Sequence, residues 1–191
     1  MNRNQILSIF KSTEALLEGH FVLTSGRHSD TYFQCARVLQ YPEYLTAFSM
    51  IIADQFKRYH PDVIISPAIG GIVLGTEVGT QMGCRTIFAE RENGAMIIRR
   101  GFHINKGEKV LIIEDVVTTG GSVKEVIDTL LFMEVDIIGI GILVDRSNGK
   151  VKLHKNQYSI VKLNAVSYNE NEIPKRLAEI PIQKPGSRYI S

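Results

Sequence analysis

Thirteen residues, Val110 to Ser122 (VLIIEDVVTTGGS), carry the densest chemistry in the chain. Four apolar residues run into two acids, Glu114 and Asp115. Val116, Val117, Thr118, Thr119, Gly120, Gly121 and Ser122 follow, and then a helical pattern starts. Glycine takes positive φ at little cost and lets backbone N–H groups come close to a ligand. The hydroxyls of Thr118, Thr119 and Ser122 add donors. The helix behind them adds unpaired N–H groups and the positive end of its dipole. Together these groups make a cradle for a compact dianion such as a sugar monophosphate. The two carboxylates can accept hydrogen bonds from ribose hydroxyls or help to position Mg²⁺, which prefers oxygen ligands and keeps several waters. Taken alone, Thr-Thr-Gly-Gly-Ser is also an ordinary helix start, so the full order of strand, two acids, hydroxyl-glycine loop and helix carries the reading. GxxxxGK[ST] is absent, which argues against kinase or ATPase chemistry of the lysine-loop type, and no GxGxxG follows a strand.

A loop of this kind needs rigid elements on both sides. Short β-branched or apolar runs at Val63–Ile65, Arg85–Ala89, Val110–Ile113, Ile137–Val144 and Tyr158–Leu163 are expected strands. They alternate with expected helices: one opened by Pro42, one from Gly71 to about Met82, and one from Ser122 to about Met133. Strands apolar on both faces and interleaved with helices imply an α/β fold with a mostly parallel sheet. In such sheets ligands bind beyond the carboxyl ends of the strands. Residues 2–18 read as an amphipathic helix, Glu90–Arg100 as a polar, charged stretch punctuated by Gly94 and Gly101 that could be a solvated hairpin, and Pro181–Ser191 as an irregular tail.

Composition narrows the class. The 191 residues are 44 % hydrophobic and 22 % charged, as in ordinary globular domains, and this length supports one domain with a full core. Twenty-two basic residues against 20 acidic leave a net charge of +2, which argues against a polybasic nucleic-acid binder. A local basic cluster would escape that sum. Cys35 and Cys84 lack CxxC spacing, so a disulfide framework or cysteine zinc site is not expected. No apolar run reaches the ~18 residues of a membrane span, and charges interrupt the N-terminal apolar stretches, so a cytoplasmic protein is expected.

VLIIEDVVTTGGS resembles the phosphoribosyl-pyrophosphate (PRPP) signature of type I phosphoribosyltransferases. The rest of the chain is similar to the orotate branch of that family. The similarity rests on Gly19–Ser29 (GHFVLTSGRHS), Ser66–Gly71 (SPAIGG), Phe88–Arg91, Arg99–Phe102 and Asp145-Arg146. It implies the family fold, a single domain over residues 1–191 whose N-terminal segment (about 1–40) and C-terminal tail form a small hood. It also implies Mg²⁺-dependent transfer of phosphoribose from PRPP to orotate in pyrimidine synthesis. Other bases as acceptors, or a PRPP-sensing regulator on the same fold, are the alternatives.

Carried over by position, Glu114 and Asp115 bind ribose hydroxyls, and Val116, Val117, Thr118, Thr119, Gly120, Gly121 and Ser122 hold the 5′-phosphate. Gly70 and Gly71 belong to the pyrophosphate loop, and Thr118 and Arg146 touch orotate. Arg146 would otherwise read as an exposed turn arginine; its fork geometry suits a carboxylate. Asp115, Arg91 and Arg99 are the expected catalytic residues, with Arg91 also on PRPP, while Arg100 and His103 lie in or beside a mobile loop. No dedicated metal ligand is assigned, because substrate holds most of the Mg²⁺. The resemblance further implies a homodimer with shared active sites, and no nucleic-acid or membrane partner. Three positions depart from the family's usual lysines: Thr24, Gly70 and Ala95. With no lysine between Glu90 and Asn105, Arg91 or Arg99 takes the place of the loop's cation.

Overall fold

A computed structural model of the chain describes residues 1–23, 26–163 and 166–183. The elements run α1 (Arg3–Ser12), β1 (Leu16–Val22), β2 (His28–Phe33), α2 (Ala36–Leu39), α3 (Pro42–Phe56), β3 (Val63–Pro67), α4 (Gly70–Met82), β4 (Arg85–Glu92) and β5 (Ala95–Ile98). They continue with β6 (Lys109–Val117), α5 (Gly121–Leu131), β7 (Asp136–Asp145), β8 (Gln157–Lys162), β9 (Ser167–Tyr168), α6 (Lys175–Ala178) and β10 (Ile182–Gln183). The chain divides into two compact units, residues 39–163 and residues 1–38 with 164–191.

The larger unit holds a six-stranded sheet in the order β5-β4-β3-β6-β7-β8. All pairings are parallel except the β4–β5 hairpin. From β3 the chain moves outward to β4 and β5, then returns to place β6 on the other side of β3. The winding therefore reverses between β3 and β6, and a sheet of this kind opens its ligand crevice at such a reversal.

Both faces of the sheet are covered, as strands apolar on both faces require. Val63, Ile65, Val110, Ile112, Ile140 and Ile142 pack with Val123, Val126 and Leu130 of α5, which recur at helical spacing. The opposite face receives α4 by a stripe of glycines at every fourth residue. A methyl group at Gly75 would stand 2.2 Å from Ser66 Oγ, and one at Gly79 2.1 Å from Thr86 Oγ1. The α4 backbone thus lies directly on the strands, closer than any side chain would permit.

The smaller unit contains the sheet β10-β1-β2-β9. Here the structure corrects two expectations. The first helix ends at Ser12, and Leu16 and Leu17 pair instead with Phe33 and Tyr32 across an antiparallel ladder. Glu14 turns the chain with φ 53. That pairing is non-local, so the helical spacing of nearby leucines could not reveal it. In the tail, Ile182 and Gln183 are not irregular but pair with His20 and Phe21; residues 184–191 lie outside the described residues.

Buried polar contacts hold the C-terminal segment in this unit. Arg27 donates from Nε to Ser167 Oγ (2.8 Å) and from its second amino group to the Ser167 carbonyl (2.6 Å). His20 and His28 are 3 % and 7 % exposed, with His20 Nε2 2.7 Å from His28 Nδ1. His20 Nδ1 lies 3.1 Å from the Ile180 carbonyl, which can only accept. In the neutral pair, His20 therefore carries its proton on Nδ1 and accepts from His28 through Nε2.

Candidate active site

Three adjacent strands of the larger unit end in the residues singled out from sequence. Strand β6 delivers Glu114 and Asp115 and passes into Thr118–Gly120 before α5. Strand β3 passes through Ala68 and Ile69 into α4 at Gly70. Strand β7 ends at Asp145, and the Arg146 N–H donates to the Val117 carbonyl at 2.7 Å. That bond fixes Arg146 beside the start of the hydroxyl-glycine loop.

The β3 and β6 segments meet in contact. A methyl group on Gly70 would stand 2.4 Å from Asp115 Oδ2, and one on Gly71 3.2 Å from Glu114 Oε1. Bare backbone at both positions lets the start of α4 close on the two acids. Gly70 is one of the three departures from the family's lysines; any side chain there would have to displace the Asp115 carboxylate. The acids are held locally as well. Glu114 Oε1 accepts from the Asp115 N–H at 3.0 Å, and Asp115 Oδ1 accepts from the Val116 N–H at 2.8 Å.

Glu114 is only 7 % exposed. Burial raises its pKa well above the ordinary carboxylate range, and the charge of Asp115 adds to the rise. An acid whose folded pKa is raised stabilises the fold most below its unfolded pKa and loses that contribution as pH rises through the folded value. Urea unfolding of ligand-free protein from pH 4.5 upward is expected to show this. Glu114→Gln, which has no proton to lose, should gain stability relative to the parent as pH rises. A parallel pH dependence of the two proteins would remove the burial argument.

Two helices start at this crevice without a side-chain cap. Helix α1 elsewhere is closed by a reciprocal box between Asn2 and Gln5, whereas α4 and α5 have no capping side chain. Their first-turn N–H groups are left for a ligand. The turn into α5 runs through Gly120 at φ 76. A methyl group there would also meet Val151 Cγ1 at 2.6 Å and Leu153 Cδ1 at 3.1 Å. Thr118, Thr119 and Gly121 are exposed and Ser122 half-buried. Val117 is different: its side chain is in the core at 2 % exposure, so only its backbone faces the loop.

The charged stretch at the end of β4 is a hairpin. Strand β4 continues to Glu92, which pairs with Ala95, and Asn93 and Gly94 turn with φ 50 and 85. Two positive φ values make the tight turn that matches strand twist, and Asn-Gly is its sequence signal. Ala95, where the family's usual pattern would put a lysine, opens β5.

The arginines of this hairpin are all paired with acids. Arg91 reaches Glu125 on α5 (2.8 Å), next to the first turn of the cradle helix. Arg99 binds Glu90 (2.6 Å) and Glu92. Arg100 grips Glu90 with both ends of its fork (2.8 and 2.9 Å) and lies over Phe88. Arg100 first, and Arg99 after it, hold the Glu90 pKa below the usual range. The strand ends thus bring together Glu114, Asp115, Gly70, Gly71, the 116–122 loop and Arg146. Arg91 stands beside that cluster, and Arg99 is committed to its own hairpin. Sequence reasoning missed the Gly75 and Gly79 stripe, whose four-residue spacing was its only signal.

Mg²⁺ fits these donors. Asp115, at the crevice beside the buried Glu114, suits an ion that takes one or two protein oxygens and completes its shell with water and phosphate. No group of three or more His, Cys, Asp or Glu side chains that could cage a metal occurs among the described residues.

Comparison with known proteins gives the family. The phosphoribosyl transferase domain family matches residues 37–179. The orotate phosphoribosyltransferase of Chlorobium phaeobacteroides (strain DSM 266) is 59 % identical over 188 residues, covering 98 % of this chain and 97 % of the relative. That of Caldanaerobacter subterraneus subsp. tengcongensis is 52 % identical and spans the full length of both chains. Among solved structures, the Aeropyrum pernix orotate phosphoribosyltransferase superposes with a TM-score of 0.71 at 22 % identity, over 83 % of this chain and 93 % of that one. An adenine phosphoribosyltransferase from Thermoanaerobacter pseudethanolicus superposes at 0.61 with 15 % identity, over 70 % and 88 %. The solved structures speak to the fold, the close relatives to the branch. Strand order, paired acids, uncapped helices and near full-length identity converge: this chain belongs to the phosphoribosyltransferase family, in its orotate phosphoribosyltransferase branch.

Proposed function

We propose that the protein transfers phosphoribose from PRPP to orotate, forming orotidine 5′-monophosphate and pyrophosphate. The observation that carries the reading is the contact of Gly70 and Gly71 with Asp115 and Glu114 between two uncapped helix starts. It gives one crevice with an anion site on each side of a ribose site. In the reaction the bond from C1′ to the pyrophosphate oxygen breaks, its electron pair leaving with pyrophosphate, and an orotate ring nitrogen bonds C1′ and gives up its proton to solvent. Catalysis is then mostly positioning and charge stabilisation.

Backbone N–H groups of Val116–Ser122 and the hydroxyls of Thr118, Thr119 and Ser122 hold the 5′-phosphate. Asp115 and Glu114 meet the ribose hydroxyls. N–H groups at Gly70 and Gly71 meet the pyrophosphate. Mg²⁺, when bound, supplies positive charge against the leaving pyrophosphate. Arg91 or Arg99 adds the remaining cation, and each must exchange a glutamate partner for the ligand. Thr118 and Arg146 fix orotate, the arginine fork meeting its carboxylate.

The reading includes a homodimer in which the β4–β5 hairpin closes on a partner's site and excludes water, with the enzyme in the cytoplasm. It fits a chain in which, among the described residues, no helix is long and apolar enough to cross a membrane.

A substrate panel tests the reaction. With Mg²⁺ and PRPP the protein should consume orotate; consumption of adenine, hypoxanthine, xanthine or uracil in its place would reassign the acceptor. Arg146→Ala is expected to raise the KM for orotate about tenfold or more, the value of a charged hydrogen bond, with PRPP dependence little changed. An unaltered orotate KM would return Arg146 to a structural turn.

A further inference from the structure

The net charge of +2 conceals a local excess. From Arg146 to Asn169 the chain carries four lysines, one arginine and one histidine, and no acid. The larger unit gathers part of this stretch around a cleft of about 520 Å³ beside β8. Lys152, Lys155, Lys162, His154 and Ser159 line it, with Asp145 at its base. Ligand pockets commonly measure about 300–1,000 Å³.

Four observations indicate a built site. First, Lys152, Lys155 and Lys162 form no ion pair or side-chain hydrogen bond among the described residues, although the arginines of the β4–β5 hairpin are all paired. Second, the loop that presents Lys152 and Lys155 is held in place. Gln157 clamps it from both sides, accepting from the Leu153 N–H (2.9 Å) and donating to the Val151 carbonyl (2.9 Å). Val151 and Leu153 anchor in the core. Third, His154 Nδ1 accepts from the Asn156 N–H at 3.1 Å, so the neutral ring keeps its proton on Nε2 as a donor. Fourth, the one carboxylate in the lining is turned away: Asp145 is 2 % exposed and accepts from the Ser147 N–H at 2.8 Å. Lysine on an edge strand can serve only to repel other strands. That accounts for Lys162 on β8 but not for Lys152 and Lys155, which lie on the loop.

We propose that this cleft is a second anion site, which shares Val151 and Leu153 with the neighbourhood of the cradle glycine Gly120, and that it binds a phosphate ester of about nucleotide size. The lysines supply charge-assisted donors to the phosphates, and Ser159 and His154 add neutral ones. A preformed loop loses little conformational freedom when the ligand arrives.

Calorimetric titration with ADP tests the assignment. The parent protein should show saturable binding that weakens with added salt. A Lys155→Glu/Lys162→Glu variant should bind at least about tenfold more weakly, since two charge-assisted contacts become repulsive. Both lysines are exposed, so the variant should fold; Lys155→Gln/Lys162→Gln provides a milder check, with intermediate weakening expected. Equal affinity in parent and variants, or no saturable binding to the parent, would overturn the proposal. So would binding of duplex RNA through these lysines with none of ADP. The binding result does not depend on the assigned reaction: failure to turn over orotate would sink that reaction and leave the cleft unaffected.

Discussion

Asp115→Asn is expected to lower kcat/KM for PRPP by about 10- to 100-fold, the value of a hydrogen bond to a charged acceptor, while leaving thermal stability near that of the parent. The carboxylate lies at the crevice, 2.4 Å from where a methyl on Gly70 would stand, and is not in the apolar core. Asparagine keeps the shape and can still accept from the Val116 N–H, which Asp115 Oδ1 now does at 2.8 Å. What it loses is the negative charge that the proposed function sets against ribose hydroxyls and Mg²⁺. Steady-state kinetics with varied PRPP, paired with a melting curve, separate the two effects. Parent-like kinetics would contradict the ribose role. A large fall in melting temperature would make Asp115 a structural residue.

Gly120→Ala is expected to damage both fold and function. Alanine at φ 76 costs about 1–2 kcal/mol from the left-handed backbone. Its methyl would press on Val151 and Leu153, and overpacking typically costs about 1–3 kcal/mol. A total of about 2–5 kcal/mol corresponds to a melting temperature lowered by roughly 4–20 °C in a chain of this size. Denaturant unfolding reads that loss directly. Because Gly120 also sets the entry to α5 and the N–H groups of the cradle, PRPP affinity should fall in the folded fraction. Unchanged stability would mean that the 148–153 loop yields freely, and unchanged PRPP binding that the cradle does not depend on this turn.

The sequence carried a large part of the site because its signals are local. Apolar strand, paired acids, hydroxyl-glycine loop and helix follow one another within thirteen residues, and each obeys short-range rules of backbone conformation. The five strands read from β-branched runs all occur as β3, β4, β6, β7 and β8; β3, β6 and β7, buried on both faces, are written as continuous apolar segments, and the less buried β4 and β8 keep enough β-branched and aromatic residues to be read. The β4–β5 hairpin was also legible, in Asn93-Gly94 between residues that can pair as strands.

Tertiary structure decided what depends on residues far apart in the chain. The pairing of Leu16 with Phe33, and of His20 with Ile182, is set by non-local ladders that spacing cannot encode. The contact of Gly70 with Asp115 depends on α4 lying flat on the sheet through Gly75 and Gly79. The partners of Arg91 and Arg99 follow from where the hairpin folds back, and the three unpaired lysines meet only because one loop is clamped along β8. By itself the sequence determined the chemistry of the anion cradle and the strands that frame it. Only the folded chain decided which charges are neutralised, which acid is buried and which lysines are left facing a cleft, because each of those is a property of distance in space and not of order along the chain.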